Sequence, residues 1–153
     1  MIAVDTNILV RLLVADDAAQ LDKAKRLFDR QAAEPGSIWI SQSVLVELVW
    51  VLTRTYARPR EQVLSALRAL SSNATVRLDG AEEVAVAIGL YAAGKADFAD
   101  CLLAARAQAG GLDTLFTFDR KMRGLPKVLC GSLPSQARLD YSGICRDIYH
   151  HAF

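Results

Sequence analysis

Short, mainly apolar runs recur along this chain, and between them lie helical segments of about 10–15 residues. Ile2–Val4 is the first such run, and Asn7–Val14 follows it as a short helical stretch. Asp16 and Asp17 open a second helix, in which Leu21, Ala24 and Phe28 share one face until Pro35-Gly36 ends it. Ser37–Ile40 reads as the next strand, and Ser41 or Ser43 can cap a helix running to about Tyr56. Pro59 suits the first turn of a further helix with Val63, Leu67 and Leu70 on its apolar side. Ala74–Leu78 predicts a strand, Gly80–Ala92 a helix broken by Gly94, Asp97–Ala109 a helix ended by Gly110-Gly111, and Leu112–Phe118 a fourth strand. Strands separated by helices of this length imply crossover connections and mostly parallel pairing, and a parallel sheet is usually covered on both faces. The expected fold is therefore α/β, a short and mostly parallel central sheet with helices on both faces.

The 153 residues suit one domain, in which about two-thirds of the unfolded surface can be buried. Hydrophobic residues make up 52% of the chain, too many for a disordered polymer. The formal charge is +1, from 18 basic and 17 acidic side chains. That balance argues against a protein that coats nucleic acid by bulk positive charge, though a nucleic-acid enzyme needs only a local basic rim. No apolar run approaches the roughly 18 residues of a membrane span. Met1–Asp5 lacks the basic start and small-residue cleavage site of a secretory signal. Cys101, Cys130 and Cys145 are odd in number and far apart, which suits reduced thiols in a cytoplasmic protein.

Most of the acids lie on polar helix faces or near helix starts, Asp16, Asp17, Asp22, Asp29, Glu82 and Glu83 among them, and read as solvated surface. Four others have apolar neighbours. Asp5 follows Ile2-Ala3-Val4 and precedes Asn7-Ile8-Leu9-Val10, where a helix cap is the plain explanation. Glu47 is the only charge between Ser43 and Leu52, in a helix that reads as buried nearly all round; an arginine partner is its plain explanation. Asp100 precedes Cys101-Leu102-Leu103-Ala104-Ala105, with Asp97 one turn earlier in a capping position. Asp119 ends the run Leu115–Phe118, as a turn residue would.

Together the four make a pattern. Asp5 and Asp119 follow strands, and Asp97 and Asp100 open the helix that leads to the second of those strands. Ligands of doubly wound sheets bind outside the carboxyl ends of strands. Carboxylates gathered there, without a neighbouring His or Cys motif, suit a hard divalent cation, Mg²⁺ or Mn²⁺, better than zinc. Metal-assisted hydrolysis of a phosphodiester is chemistry that uses such a cluster.

These residues resemble the motifs of PIN-domain ribonucleases. Val4-Asp5-Thr6-Asn7-Ile8-Leu9 is similar to the first, Ser43-Val44-Leu45-Val46-Glu47-Leu48 to the helix carrying the second acid, Asp97-Phe98-Ala99-Asp100-Cys101 and the run after it to the third, and Phe116-Thr117-Phe118-Asp119 to the fourth. The four occur in order across about residues 1–128, and the small size resembles the VapC-type toxins of bacterial toxin–antitoxin modules. The resemblance implies a PIN-like three-layer sandwich over residues 1–128, with residues 129–153 as a tail of no assigned role. It implies that Asp5, Glu47, Asp100 and Asp119 form the catalytic acidic site. Asp5 and Asp100 would hold Mg²⁺ (or Mn²⁺), with Asp97 and Asp119 as further acids. Thr6, Asn7, Ser43 and Thr117 would orient the carboxylates by hydrogen bonds. It also implies RNA as substrate, with tRNA among the targets, a cognate antitoxin as inhibitor, and a homodimer.

Two other readings compete. A PIN-like domain could bind RNA or a partner without cutting. A Mg²⁺-binding receiver domain of signalling needs a phosphoacceptor Asp ending the third strand, and no Asp occurs between Asp29 and Asp79. A haloacid dehalogenase-type phosphatase would need a second Asp two residues after Asp5, where Asn7 stands. With Asp5, Glu47, Asp97, Asp100 and Asp119 set aside for a metal, 12 acids remain against 18 bases, a balance of +6. That surplus supplies a basic rim, for which Arg11, Arg54, Arg58, Arg60, Arg106, Arg120, Lys121 and Arg123 are available.

Overall fold

In the computed structural model, the chain is described over residues 1–131. Residues 132–153, which include Cys145 and the Tyr141–Phe153 stretch whose sequence suits a weak helix, lie outside the described residues. Residues 1–131 hold five short strands, the first four separated by pairs of helices: β1 Ile2–Ala3, α1 Thr6–Val14, α2 Ala18–Gln31, β2 Ile38–Ile40, α3 Gln42–Arg54, α4 Arg60–Ser72, β3 Val76–Leu78, α5 Ala81–Ala93, α6 Phe98–Ala109, β4 Leu115–Thr117 and β5 Val128–Cys130. A single 3₁₀ turn, Arg120–Met122, lies between β4 and β5. The fold is α/β with parallel strand pairing, as the alternation predicts.

Pairing is nevertheless divided. β1, β2 and β3 form one parallel sheet in sequence order, with Ile2 opposite Ile38 and Ile38 opposite Val76. β4 and β5 form a separate parallel pair, with Phe116 opposite Leu129. The fourth strand is also shorter than the predicted Leu112–Phe118, because residues up to Leu112 belong to the end of α6. The Leu112 amide donates to the Ala107 carbonyl at 3.0 Å, and Gly111 has φ +72°. This is the helix stop in which a left-handed residue turns the chain back on the last turn.

Cap chemistry explains where the helices begin. The Asp5 carboxylate accepts from the Ile8 amide at 3.1 Å, Asp17 from Gln20 at 2.9 Å and Ser41 from Val44 at 3.3 Å. Each satisfies an amide that the first helical turn leaves without a partner. Pro59 stands immediately before α4, its φ of −65° already suited to the entry. Gly80 opens α5 at φ +61°, and a Cβ there would come within 2.3 Å of the Gln42 side-chain nitrogen. Only glycine satisfies both demands.

Among the described residues the core is one cluster of side chains from β2, β3, α1 and α3 to α6, with Val4 beside β1. Leu9, Ile38, Ile40, Leu45, Leu48, Val63, Val84, Phe98 and Cys101 are completely buried. Burial raises the Cys101 thiol to about 11, which keeps it protonated and inert. Cys101 and Cys130 are free thiols.

Helix α3 departs from expectation. It is not buried nearly all round: Leu45, Leu48, Val49 and Leu52 form the inner stripe, while Ser43, Glu47, Trp50 and Arg54 are exposed. Their spacing of four, three and four residues puts these on one outward face. Trp50, an apolar residue by composition, is 60% exposed.

Candidate acidic active site

Asp5 follows directly on β1. Val4 is still tied to the sheet by its amide, which donates to the Trp39 carbonyl at 3.3 Å. At Asp5 the backbone remains extended (φ −92°, ψ 175°) and then enters α1. The Asp5 carboxylate is exposed and uses Oδ1 for the cap, so capping and a site role share one side chain. Thr6, the next residue, is buried, and its hydroxyl donates to Glu47 Oε2 at 2.6 Å. A hydroxyl–carboxylate bond of that length is charge-assisted. It links α1 to α3 across 41 positions of sequence and turns Glu47 toward Asp5's end of β1.

Glu47 is therefore neither walled in by apolar groups nor held by an arginine. Its carboxylate is exposed, and its partner is a neutral hydroxyl. The sequence misleads here because valines flank Glu47 on the half-buried sides of α3 and mask the polar stripe.

Helix α6 supplies the second group of acids. Asp97 occupies the cap position, but its carboxylate makes no capping hydrogen bond; only its carbonyl takes part, accepting from Cys101 at 3.1 Å. The expected side-chain cap is absent, and the carboxylate instead lies 3.9 Å from Lys121 Nζ. Asp100 is half-buried in the first turn of α6. Burial pushes its carboxyl above the ordinary Asp value, and the negative charges of Asp119 and Asp97 push it further the same way. The Asp97 backbone and Lys121 offset part of that rise.

Asp119 follows β4 and opens the 3₁₀ turn. Its carboxylate accepts from the Lys121 amide at 2.8 Å, and its own amide donates to Thr117 Oγ1 at 3.0 Å. Thr117 thus holds the backbone that presents Asp119. Ser43 lies on the exposed face of α3 with its hydroxyl 2.8 Å from that of Ser41, and Asn7 is exposed in the first turn of α1. Of the two serines it is Ser41 that caps α3.

The acids thus fall into two groups, Asp5 with the Thr6–Glu47 pair, and Asp97, Asp100 and Asp119. Helix α3 packs against both α1 and α6 and so lies between them. Among the described residues, no three or more His, Cys, Asp or Glu side chains converge closely enough to grip a metal. The donor set itself is all oxygen, and Asp100 is raised first by its burial and then by the neighbouring charges of Asp119 and Asp97. Such a set fits Mg²⁺, which keeps several waters and takes only one or two carboxylates from the protein.

Several cations that seemed free for a basic rim have internal partners. Arg11 Nη1 pairs with Asp16 at 2.6 Å, and its Nε donates to Gln20 at 2.7 Å. Asp16 also accepts from the Tyr56 hydroxyl at 2.6 Å; this bond first, then Arg11, lowers its carboxyl below the usual value. Asp16 is therefore not simply solvated surface. Arg106 donates to the buried Gln42 side chain at 2.8 Å. Arg60 donates to backbone carbonyls, an arrangement with no local sequence signal because its partners are 31 and 36 residues away.

The family model for the PIN domain matches residues 2–128 of the chain. A curated relative, "VapC ribonuclease" from Aquifex aeolicus (strain VF5), is 22% identical over 121 residues, covering 79% of this chain and 89% of the relative. No helix among the described residues is long and apolar enough to cross a membrane.

Proposed function

The chain belongs to the PIN domain family, and on that footing we propose that it is a metal-dependent endoribonuclease of the VapC type, the toxin of a toxin–antitoxin pair. The observation that carries this reading is the 2.6 Å bond from the Thr6 hydroxyl to Glu47, which ties the acid of α3 to the residue next to Asp5 at the end of β1. Carboxylates of this kind gain from a cation that enters among them. The relative named as a VapC ribonuclease supports the same activity.

Asp5 and Asp100 are the first ligands, with Asp97 and Asp119 completing the negative field. When bound, Mg²⁺ or Mn²⁺ supplies charge to polarise the scissile phosphate and lowers the pKa of the attacking water. Thr6 fixes Glu47 through Oε2, which leaves Oε1 to accept a proton from that water. Thr117 and the Lys121 amide hold Asp119 in place. The 3.9 Å pair of Lys121 with Asp97 places positive charge beside the acids, where an incoming phosphate needs it. RNA, with tRNA among the targets, is the substrate, and a cognate antitoxin and a second copy of the chain are the partners.

Purified full-length chain should cut an RNA pool in the presence of Mg²⁺ and stop on chelation. Asp5→Asn and Asp100→Asn should remove cleavage while leaving the circular dichroism spectrum intact. Cleavage that persists in chelator, or in both variants, would sink the proposal. The open arrangement of the acids favours one rival, a PIN-like domain that binds RNA or a partner without cutting. Metal-dependent RNA cleavage that is lost in Asp100→Asn excludes it.

A further inference from the structure

Arg60 is the first residue of α4 and lies far in sequence from the acids of α6, Asp97 and Asp100. Its Nε and Nη2 donate to the Tyr91 carbonyl at 3.0 and 2.7 Å, and Nη2 also donates to the Ala96 carbonyl at 2.8 Å. These carbonyls bracket the turn from α5 to α6. The guanidinium carbon stands 3.6 Å from the centre of the Tyr91 ring. That ring meets Phe98, the first residue of α6, edge to face at 5.9 Å. Tyr91, Ala96 and Phe98 are all buried, so the carbonyls have Arg60 in place of water.

The Ala96 carbonyl belongs to the peptide unit whose nitrogen is that of Asp97. Asp97 does not fasten the start of α6 with its own side chain. A grip on that peptide unit therefore sets where α6 begins, and with it where Asp97 and Asp100 stand. We propose that Arg60 is a positioning residue for the acids of α6, acting through the Tyr91 and Ala96 carbonyls. This rests on the reading of those acids as a metal site. The planar fork of arginine meets both carbonyls at once, which the point charge of lysine cannot do.

The test uses the metal-free full-length chain, with Mn²⁺ as probe and free Mn²⁺ followed by electron paramagnetic resonance. Hydrogen exchange of the amides over 94–100 is measured alongside. Arg60→Gln should weaken Mn²⁺ binding by about 10- to 100-fold, the usual effect of losing a group that orients metal ligands. It should also speed exchange in 94–100 more than elsewhere. Arg60→Lys should fall between Arg60→Gln and the parent, and it carries the test where Arg60→Gln does not fold. Unchanged Mn²⁺ affinity in a folded Arg60 variant, while Asp100→Asn loses the ion, overturns the role of Arg60 and leaves the acid site standing. Equal Mn²⁺ binding by the parent and Asp100→Asn overturns the acid site and the Arg60 proposal with it. Faster exchange spread evenly over the whole chain marks a loss of global stability and overturns the positioning role.

Discussion

The β1–β2–β3 sheet and the β4–β5 pair are both made of short, mainly apolar, parallel strands, yet they meet solvent differently. In β2 the side chains of Ile38 and Ile40 are fully buried and Trp39, on the other face, is half-buried. In the second pair Phe116 is 50% exposed and Leu129, directly opposite it, 40%. Phe118, just past β4 on the same alternation, is 93% exposed. The inner face of the first sheet is buried at Ile38, Ile40 and Leu78 and its outer face is partly open, with Trp39 half-buried between exposed Ala3 and Arg77; the second pair has one open face and no fully buried side chain on the other. An apolar strand shows that burial is possible; only packed helices make it so. The acids straddle this divide. Asp5 and Glu47 come from the better-covered half, and Asp119 from the end of the more open one.

That contrast can be broken most sharply at the acids. Asp5→Asn, at the end of the better-covered sheet, should lower RNA cleavage by about 10³-fold, equivalent to roughly 4 kcal/mol of transition-state stabilisation. Asp119→Asn, in the more open half, should lower it by about 10- to 100-fold. Initial rates on one purified RNA would decide, and equal losses would erase the distinction between the halves.

Stability should follow the same divide. Ile40→Ala, in the better-covered sheet, should cost about 2–5 kcal/mol in urea unfolding. Thr6→Val removes the bond to Glu47 and should cost about 1.5 kcal/mol, near the low end for a bond to a charged group because Glu47 is exposed. Phe118→Ser should change stability by no more than about 0.5 kcal/mol. A large loss at Phe118 would show that the open face is covered in solution.

Asp100 adds a dependence on pH. Its carboxyl holds a proton more tightly in the folded chain than in the unfolded one. Below the ordinary Asp value both states are protonated and nothing is lost. As pH rises from there through the raised folded value, the unfolded state releases its proton first and folding weakens. Above that window the loss is complete and constant. Metal-free Asp100→Asn should therefore unfold at a higher temperature than the parent at neutral pH, with the gap closing in acid. Added Mg²⁺ should raise the parent's melting temperature and leave the variant's unchanged. A variant that melts lower at neutral pH would contradict the cost of holding the Asp100 charge half-buried beside Asp119 and Asp97.

Much of the fold is legible from local chemistry. Asp17, Ser41, Gly94 and Gly111 bound their helices within a residue or two of where turn and cap preferences place them. The exposed side of α3 is not legible, because Val44, Val46, Val51 and Trp50 make every position look internal and only packing selects which stripe goes inward. Nor is the Asp16–Tyr56 bond, which spans 40 residues.

The sequence by itself determined the order of strands and helices, the parallel pairing, and which carboxylates stand out from their neighbours. These follow from periodicity, caps and turn residues, which act over a few positions. Only the tertiary structure decided that β4 and β5 pair apart from the main sheet, that Glu47 takes a hydroxyl as partner, and that Arg60 holds the start of α6. Each of these depends on groups brought together by packing, and side chains 31 to 41 residues apart have no local rule that could announce their meeting.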